Sequence, residues 1–180
     1  MHTISAESTP EALLDAALYH QSQSGSETVL TRREVLAGAV GRLIKDLDPN
    51  HSLAINSAIR FTDGSTRHLP LLDFHCPVSD HGRSLAVAVA SRLLGTGFLL
   101  LAGHNSYHLW GLNPVPVDSL INFLARALFF APIVDRAYVA HQLLERRCAL
   151  RVSADALKPV PRVVHWEPLA SDRQGTSGLP

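Results

Sequence analysis

Two segments decide how this chain reads: Leu69-Pro70-Leu71-Leu72-Asp73-Phe74-His75 and Asn105-Ser106-Tyr107-His108-Leu109-Trp110-Gly111. The first is an apolar strand that ends in polar residues. Alternate residues of a strand point the same way, so Asp73 and His75 share a face. Ser106 and His108 share a face for the same reason. A small fold that brings these faces together makes a compact polar cluster, suited to a divalent metal and a phosphate.

The remaining elements are placed outward from these segments. Ser79 or Asp80 caps a helix that reaches about Leu94 and is ended by Gly95 and Gly97. That helix is apolar nearly all round, which predicts deep burial. Phe98–Ala102 and Tyr107–Leu112 pair antiparallel around the turn Gly103-His104-Asn105. Upstream, Leu53–Thr62 and Thr66–His75 read as strands joined by Asp63-Gly64, a hairpin signal. Before them, Thr31 and Glu34 form a capping box. Leu36, Val40, Leu43, Ile44 and Leu47 then carry one helix to about Asp46. Downstream, Pro114 and Pro116 break the chain and Asp118 opens an apolar helix to about Phe130. A helix over Asp135–Arg146, a strand at Cys148–Val152 and a weaker strand at Arg162–Trp166 follow.

A short helix from Pro10 to about His20 and a Ser/Gln/Gly linker precede all of this. Residues 1–30 are therefore expected to be an N-terminal helix and linker, 31–168 one domain, and 169–180 a disordered tail. Paired antiparallel strands alternate with helices that cover one face, so the fold class is α+β.

Composition sets outer bounds. A chain of 180 residues with 46% hydrophobic content builds one core. Sixteen basic residues balance sixteen acidic ones, which removes any global attraction to nucleic acid or membrane. Only Lys45 and Lys158 are lysine, leaving fourteen arginines, a bias that a GC-rich genome also produces. Two cysteines, Cys76 and Cys148, and the lack of a signal-peptide pattern favour a cytoplasmic location. The apolar windows Leu85–Ala102 and Leu120–Val134 are interrupted by Arg92 and Arg126, so neither reads as a membrane span.

The strand Leu72-Asp73-Phe74-His75, the later Ser106-Tyr107-His108 with Leu109-Trp110, and Asp135 in Pro132-Ile133-Val134-Asp135 resemble three ordered motifs. They are those of the archaeo-eukaryotic primase–polymerase superfamily. Ala149-Leu150-Arg151-Val152-Ser153 is similar to the Leu-x-Arg-x-x-Ser element that follows the third motif. More narrowly, Ala131–Asp135, His141-Gln142-Leu143 and Leu150–Ser153 resemble a small bacterial family of primase 1D-like proteins. The resemblance implies an RRM-like core of antiparallel hairpins with helices on one face. It implies nucleotidyl-transfer chemistry, with Asp73, His75 and Asp135 as catalytic residues that hold Mg²⁺ or Mn²⁺. Ser106, His108 and Arg151 become nucleotide-binding, the partner is a nucleoside triphosphate or nucleic acid, and the setting is a bacterial conflict or mobile-element system.

One position departs from the pattern. His75 stands where the superfamily has a second carboxylate, and imidazole suits Zn²⁺, Mn²⁺ or Fe²⁺ better than Mg²⁺. Polymerisation by two metals is then impaired, and binding without extension is the expected activity. Each motif also has a plainer reading. Asp-x-His is a common strand end, Asp135 is a natural helix N-cap, His141 reads as a partly exposed helix histidine, and Arg151 could pair with Asp135. His75, Cys76, His81, His104 and His108 crowd together as zinc-type ligands, but without Cys-x-x-Cys spacing. Neither cysteine sits in a nucleophile turn. A non-catalytic protein–protein module, with the apolar Phe129-Phe130 segment as an interface, is the alternative reading.

Overall fold

A computed structural model of the chain describes residues 26–48 and 50–171. The expected helix at Pro10–His20 and most of its linker lie outside the described residues, as does the tail beyond Ser171.

Thr31 caps helix α1 (Arg32–Leu36) as its spacing requires. Glu34 N–H donates to Thr31 Oγ1 at 3.2 Å and Thr31 N–H donates to the Glu34 carboxylate at 2.7 Å. The single helix expected to run to Asp46 is broken. Gly38 takes φ +80°, a left-handed conformation that glycine adopts at little cost, and α2 (Ala39–Lys45) restarts after it. The apolar periodicity carried across a backbone break that only Gly38 could have signalled, and it buries little: Leu36 is 74% exposed and Val40, Leu43 and Ile44 are half-buried.

The two long strands expected from Leu53 to His75 are each divided. β1 (Ala54–Asn56) pairs antiparallel with the distant β7 (Ala149–Arg151), whereas β2 (Ala58–Arg60) makes the Asp63-Gly64 hairpin with β3 (Thr66–His68). The division falls at Ser57, which is fully buried. Its Oγ accepts from Cys148 N–H at 2.9 Å and lies 3.1 Å from His68 Nδ1, while its own N–H donates to the Cys148 carbonyl at 2.7 Å. One serine thus satisfies two neighbouring elements at the point where the chain changes partners. The second run divides at Pro70, which has no N–H to offer a ladder. Beyond it β4 (Leu71–Asp73) enters another sheet.

That sheet is antiparallel and four-stranded, in the order β4–β6–β5–β8, with β5 (Phe98–Ala102), β6 (Tyr107–Gly111) and β8 (Arg162–Glu167). Leu72, Leu109 and Leu100 form one cross-strand row and are fully buried. Side chains alternate across a sheet, so Asp73, His108, Leu101 and Val163 form a row on the opposite face. Helix α3 (Asp80–Leu94) packs against β5 and β6. It buries Ala86, Val89, Ala90 and Leu93 and leaves Ala88, Ser91 and Arg92 exposed. The expectation of burial all round is thereby corrected to one apolar side. α4 (Val117–Ala127), extended by a 3₁₀ turn at Leu128–Phe130, and α5 (Arg136–Glu145) pack against each other. No helix among the described residues is long and apolar enough to cross a membrane.

The start of α3 is held tightly. Ser79 Oγ caps it by accepting from Gly82 N–H at 3.0 Å, and Tyr107 Oη donates to the Ser79 carbonyl at 2.8 Å while accepting from Ser79 N–H at 3.0 Å. A Cβ on Gly82 would meet the Pro77 carbonyl oxygen at 2.0 Å. Gly82→Ala therefore lowers stability by about 1–3 kcal/mol through overpacking, although alanine is the better helix former by about 1 kcal/mol. A thermal melt in which the alanine variant gains stability would show that the Pro77 turn yields freely.

Candidate functional site

Asp73 closes β4 directly opposite His108 of β6. Ser106 Oγ donates to Asp73 Oδ1 at 3.4 Å, and His108 Nε2 lies 3.9 Å from the same oxygen. The two sequence segments therefore meet through their polar faces. Asp135 arrives through the main chain. Its N–H donates to the Asp73 carbonyl at 3.0 Å, His75 N–H donates to the Ile133 carbonyl at 2.7 Å, and Phe74 and Val134 form a β-bridge between these bonds. Asp135 also caps α5, accepting from Tyr138 N–H at 3.0 Å. Its two readings, as cap and as site neighbour, hold together.

Electrostatics mark Asp73 as the centre. Its side chain is only 22% exposed. Burial, reinforced by the Asp135 carboxylate, pushes its carboxyl up to about 7, against the Ser106 hydrogen bond and the Lys158 charge. His108 moves the other way. Burial, helped by the positive charges of Arg151 and Lys158, pulls its imidazole down to about 4. At neutral pH the 3.9 Å contact between the two is thus not an ion pair between full charges. It is a half-neutral acid beside a neutral imidazole, with cationic side chains nearby. His108 Nδ1 is buried with no hydrogen-bond partner among the described residues.

Arg151 reaches this neighbourhood from β7 with its guanidinium engaged. It donates to the Ser153 carbonyl and, at 3.0 Å, to that of Pro159, and its Nε lies 3.6 Å from Asp155. Lys158 was not singled out from the sequence. It sits in a turn in which the Asp155 carboxylate accepts from Leu157 and Lys158 N–H, each at 2.8 Å. Its only sequence signal was scarcity, as one of two lysines. His75 is exposed at the strand end, as are His81 and His104. Among the described residues no three His, Cys, Asp or Glu side chains gather as a metal-binding group.

The Asp73 carboxyl is raised first by burial and then by the Asp135 carboxylate, a strain that a divalent cation would relieve. Asp73 and Asp135 are on that ground the residues that would hold such an ion, with His75 as the outlying candidate ligand.

Residues 33–163 match the model of one protein family, described as archaeo-eukaryotic primase 1D-like. The chain belongs to that family. No curated protein and no solved structure matches it. The primase 1D-like match takes in every residue of the polar cluster, from Asp73 to Lys158, and stops before the end of β8. A primase–polymerase-like domain carries interaction with nucleotides or nucleic acid at that coarse level.

Proposed function

We propose that this primase 1D-like protein binds nucleoside triphosphates or nucleic-acid ends at the Asp73–Ser106–His108 cluster and is degenerate in catalysis. The observation that supports this most is the convergence of Ser106 and His108 on an Asp73 held near neutrality, beside the positive charges of Arg151 and Lys158. Such a pole presents hydrogen-bond donors and positive charge to a phosphate with little opposing negative charge. Asp73, His75 and Asp135 would hold the divalent metal, Mg²⁺ or Mn²⁺. When bound, the ion would neutralise phosphate charge. Ser106 and His108 orient the phosphates, and Arg151 and Lys158 set the local potential. Replacement of the second carboxylate by His75 removes a negative charge that polymerisation by two metals draws on. Membership in a bacterial conflict or mobile-element system belongs to the same reading and rests on the family alone.

Calorimetric titration of ATP and GTP, first with Mn²⁺ and then with Mg²⁺, tests the proposal. The expected result is metal-dependent binding that His108→Ala weakens about tenfold or more, the share of one hydrogen bond to a charged group. Absence of heat under both metals, or a variant that binds as the parent does, would refute it.

A second reading, a protein–protein module in a multi-component system, draws on Phe129 and Leu144, which are 87% and 82% exposed. It predicts that substitutions at these positions, and not at His108, abolish the biological activity.

A further inference from the structure

β8 is the longest strand among the described residues, running from Arg162 to Glu167, and it stands last in its sheet. One edge pairs with β5, and the other pairs with no strand among the described residues. Edge strands are normally kept short, or carry lysine or proline that discourages further pairing. β8 holds neither residue.

The neighbouring ladder decides which of its groups face outward. Gly103 N–H donates to the Ser106 carbonyl at 2.8 Å, next to the β5–β6 pair. Bonded and non-bonded pairs alternate along an antiparallel ladder. Leu101 and Leu99 therefore turn their main-chain groups to β6, whereas Ala102, Leu100 and Phe98 turn theirs to Arg162, His165 and Glu167 of β8. That leaves Val163 and Trp166 with main-chain groups directed to the open edge, and their side chains are 58% and 64% exposed. The register shifts between Leu100 and Leu101, where Val164 is an extra residue. In a regular strand Val163 and Trp166, three apart, would lie on opposite faces. The extra residue returns both to the face of Leu101 and Leu99, and sets Arg162 and Glu167 together on the face of Ala102 and Phe98.

We propose that β8 pairs with the β8 of a second copy of this chain, antiparallel, about a two-fold axis between Val164 and His165. Residues directly opposite in such a pair share a face. Arg162 then meets the partner's Glu167, Val163 meets the partner's Trp166, and the two-fold axis repeats both pairs. Opposite charges, and an aromatic ring against a β-branched side chain, are the cross-strand pairs that stabilise a sheet. A slip of one residue would set Arg162 against Trp166, or Val163 against Glu167, on contrary faces, so the strand specifies one register with itself. This match of charge, side-chain type and face within one strand argues for a second copy over an unrelated extended segment. An isologous contact closes after two copies. It joins two four-stranded sheets into one of eight, with each Asp73 seven strand spacings from its counterpart, roughly 34 Å. Neither polar cluster is covered.

Sedimentation of the full chain over a concentration series tests this. The parent protein forms a concentration-dependent dimer. Arg162→Glu and Glu167→Arg each weaken it about 10- to 30-fold, because two opposite-charge pairs in the dimer become like-charge pairs. Mixing the two variants restores dimerisation to the parent's strength, since each supplies the charges that the other lacks. That recovery also shows that both variants are folded. A parent that stays monomeric to about 1 mM overturns the proposal and leaves the edge to a strand of another protein. A dimer that ignores both charge reversals, or variants that mixing does not restore, places the contact elsewhere and overturns it as well.

Discussion

Asp73→Asn makes the folded protein more stable at neutral pH, by about 2–4 kcal/mol. The carboxyl is raised in the fold from 3.8 to about 7. Well below pH 4 it is protonated in both the folded and unfolded chain, and its effect on stability is nil. As pH rises from about 4 to about 7 the unfolded chain releases the proton while the fold retains it, so stability falls through this window and then levels off. Three units at about 1.4 kcal/mol each come to roughly 4 kcal/mol, and the 22% of the side chain in contact with water trims that figure. Asparagine keeps the acceptor for Ser106 and never ionises. Urea denaturation at about pH 5 and about pH 8 should show a gap between variant and parent that widens at the higher pH. An asparagine variant less stable than the parent at both values would mean that Asp73 is a structural hydrogen-bond partner and nothing more. The same substitution should remove the metal-dependent part of nucleotide binding, because a site that destabilises its own fold is retained for what it binds.

Phe74→Ala acts in the opposite sense and costs about 3–5 kcal/mol. Phe74 is 1% exposed, on the other side of the strand from Asp73 and His75. Its N–H donates to the Tyr107 carbonyl at 2.9 Å, and it bridges Val134, which is also 1% exposed. Removing the ring opens a cavity beneath the segment that carries Asp135. Relaxation there lets the two carboxylates separate, so the raised titration of Asp73 falls as well. Denaturant titration gives the energy, and the flattening of the pH dependence between about 4 and 7 gives the coupling. A loss below about 1 kcal/mol would mean that neighbouring Leu and Val side chains close the space.

The short-range signals in the sequence carried most of the fold. The capping box at Thr31, the Asp63-Gly64 hairpin, the Ser79 cap, Gly95 after α3 and the β5–β6 pair all lie where residue chemistry at a few positions dictates them. The errors in the strands share one cause, in that a local pattern does not say which distant strand will be the partner. Leu53–Thr62 looks like one strand because its apolar rhythm is unbroken. Only the bonds of Ser57 to Cys148 and His68 divide it between β7 and β3. In the candidate site, strand alternation made Ser106 and His108 legible as one face and Asp73 as a polar strand end, and the β4–β6 register then sets Asp73 opposite His108. The alternative of an Arg151–Asp135 pair did not foresee Asp155, four residues further on in the following turn. Lys158 was illegible, since a lone lysine in a loop carries no periodicity and acts on Asp73 and His108 by proximity in space.

The bonds from Asp135 N–H to Asp73 and from His75 N–H to Ile133 belong to the main chain. At position 75 the frame is therefore held without help from the exposed side chain. Charge can be edited there without moving the scaffold, and histidine and aspartate codons differ at a single base. Position 75 therefore keeps an inexpensive genetic route between histidine and a carboxylate, a kind of change that the loss of a strand would not leave open.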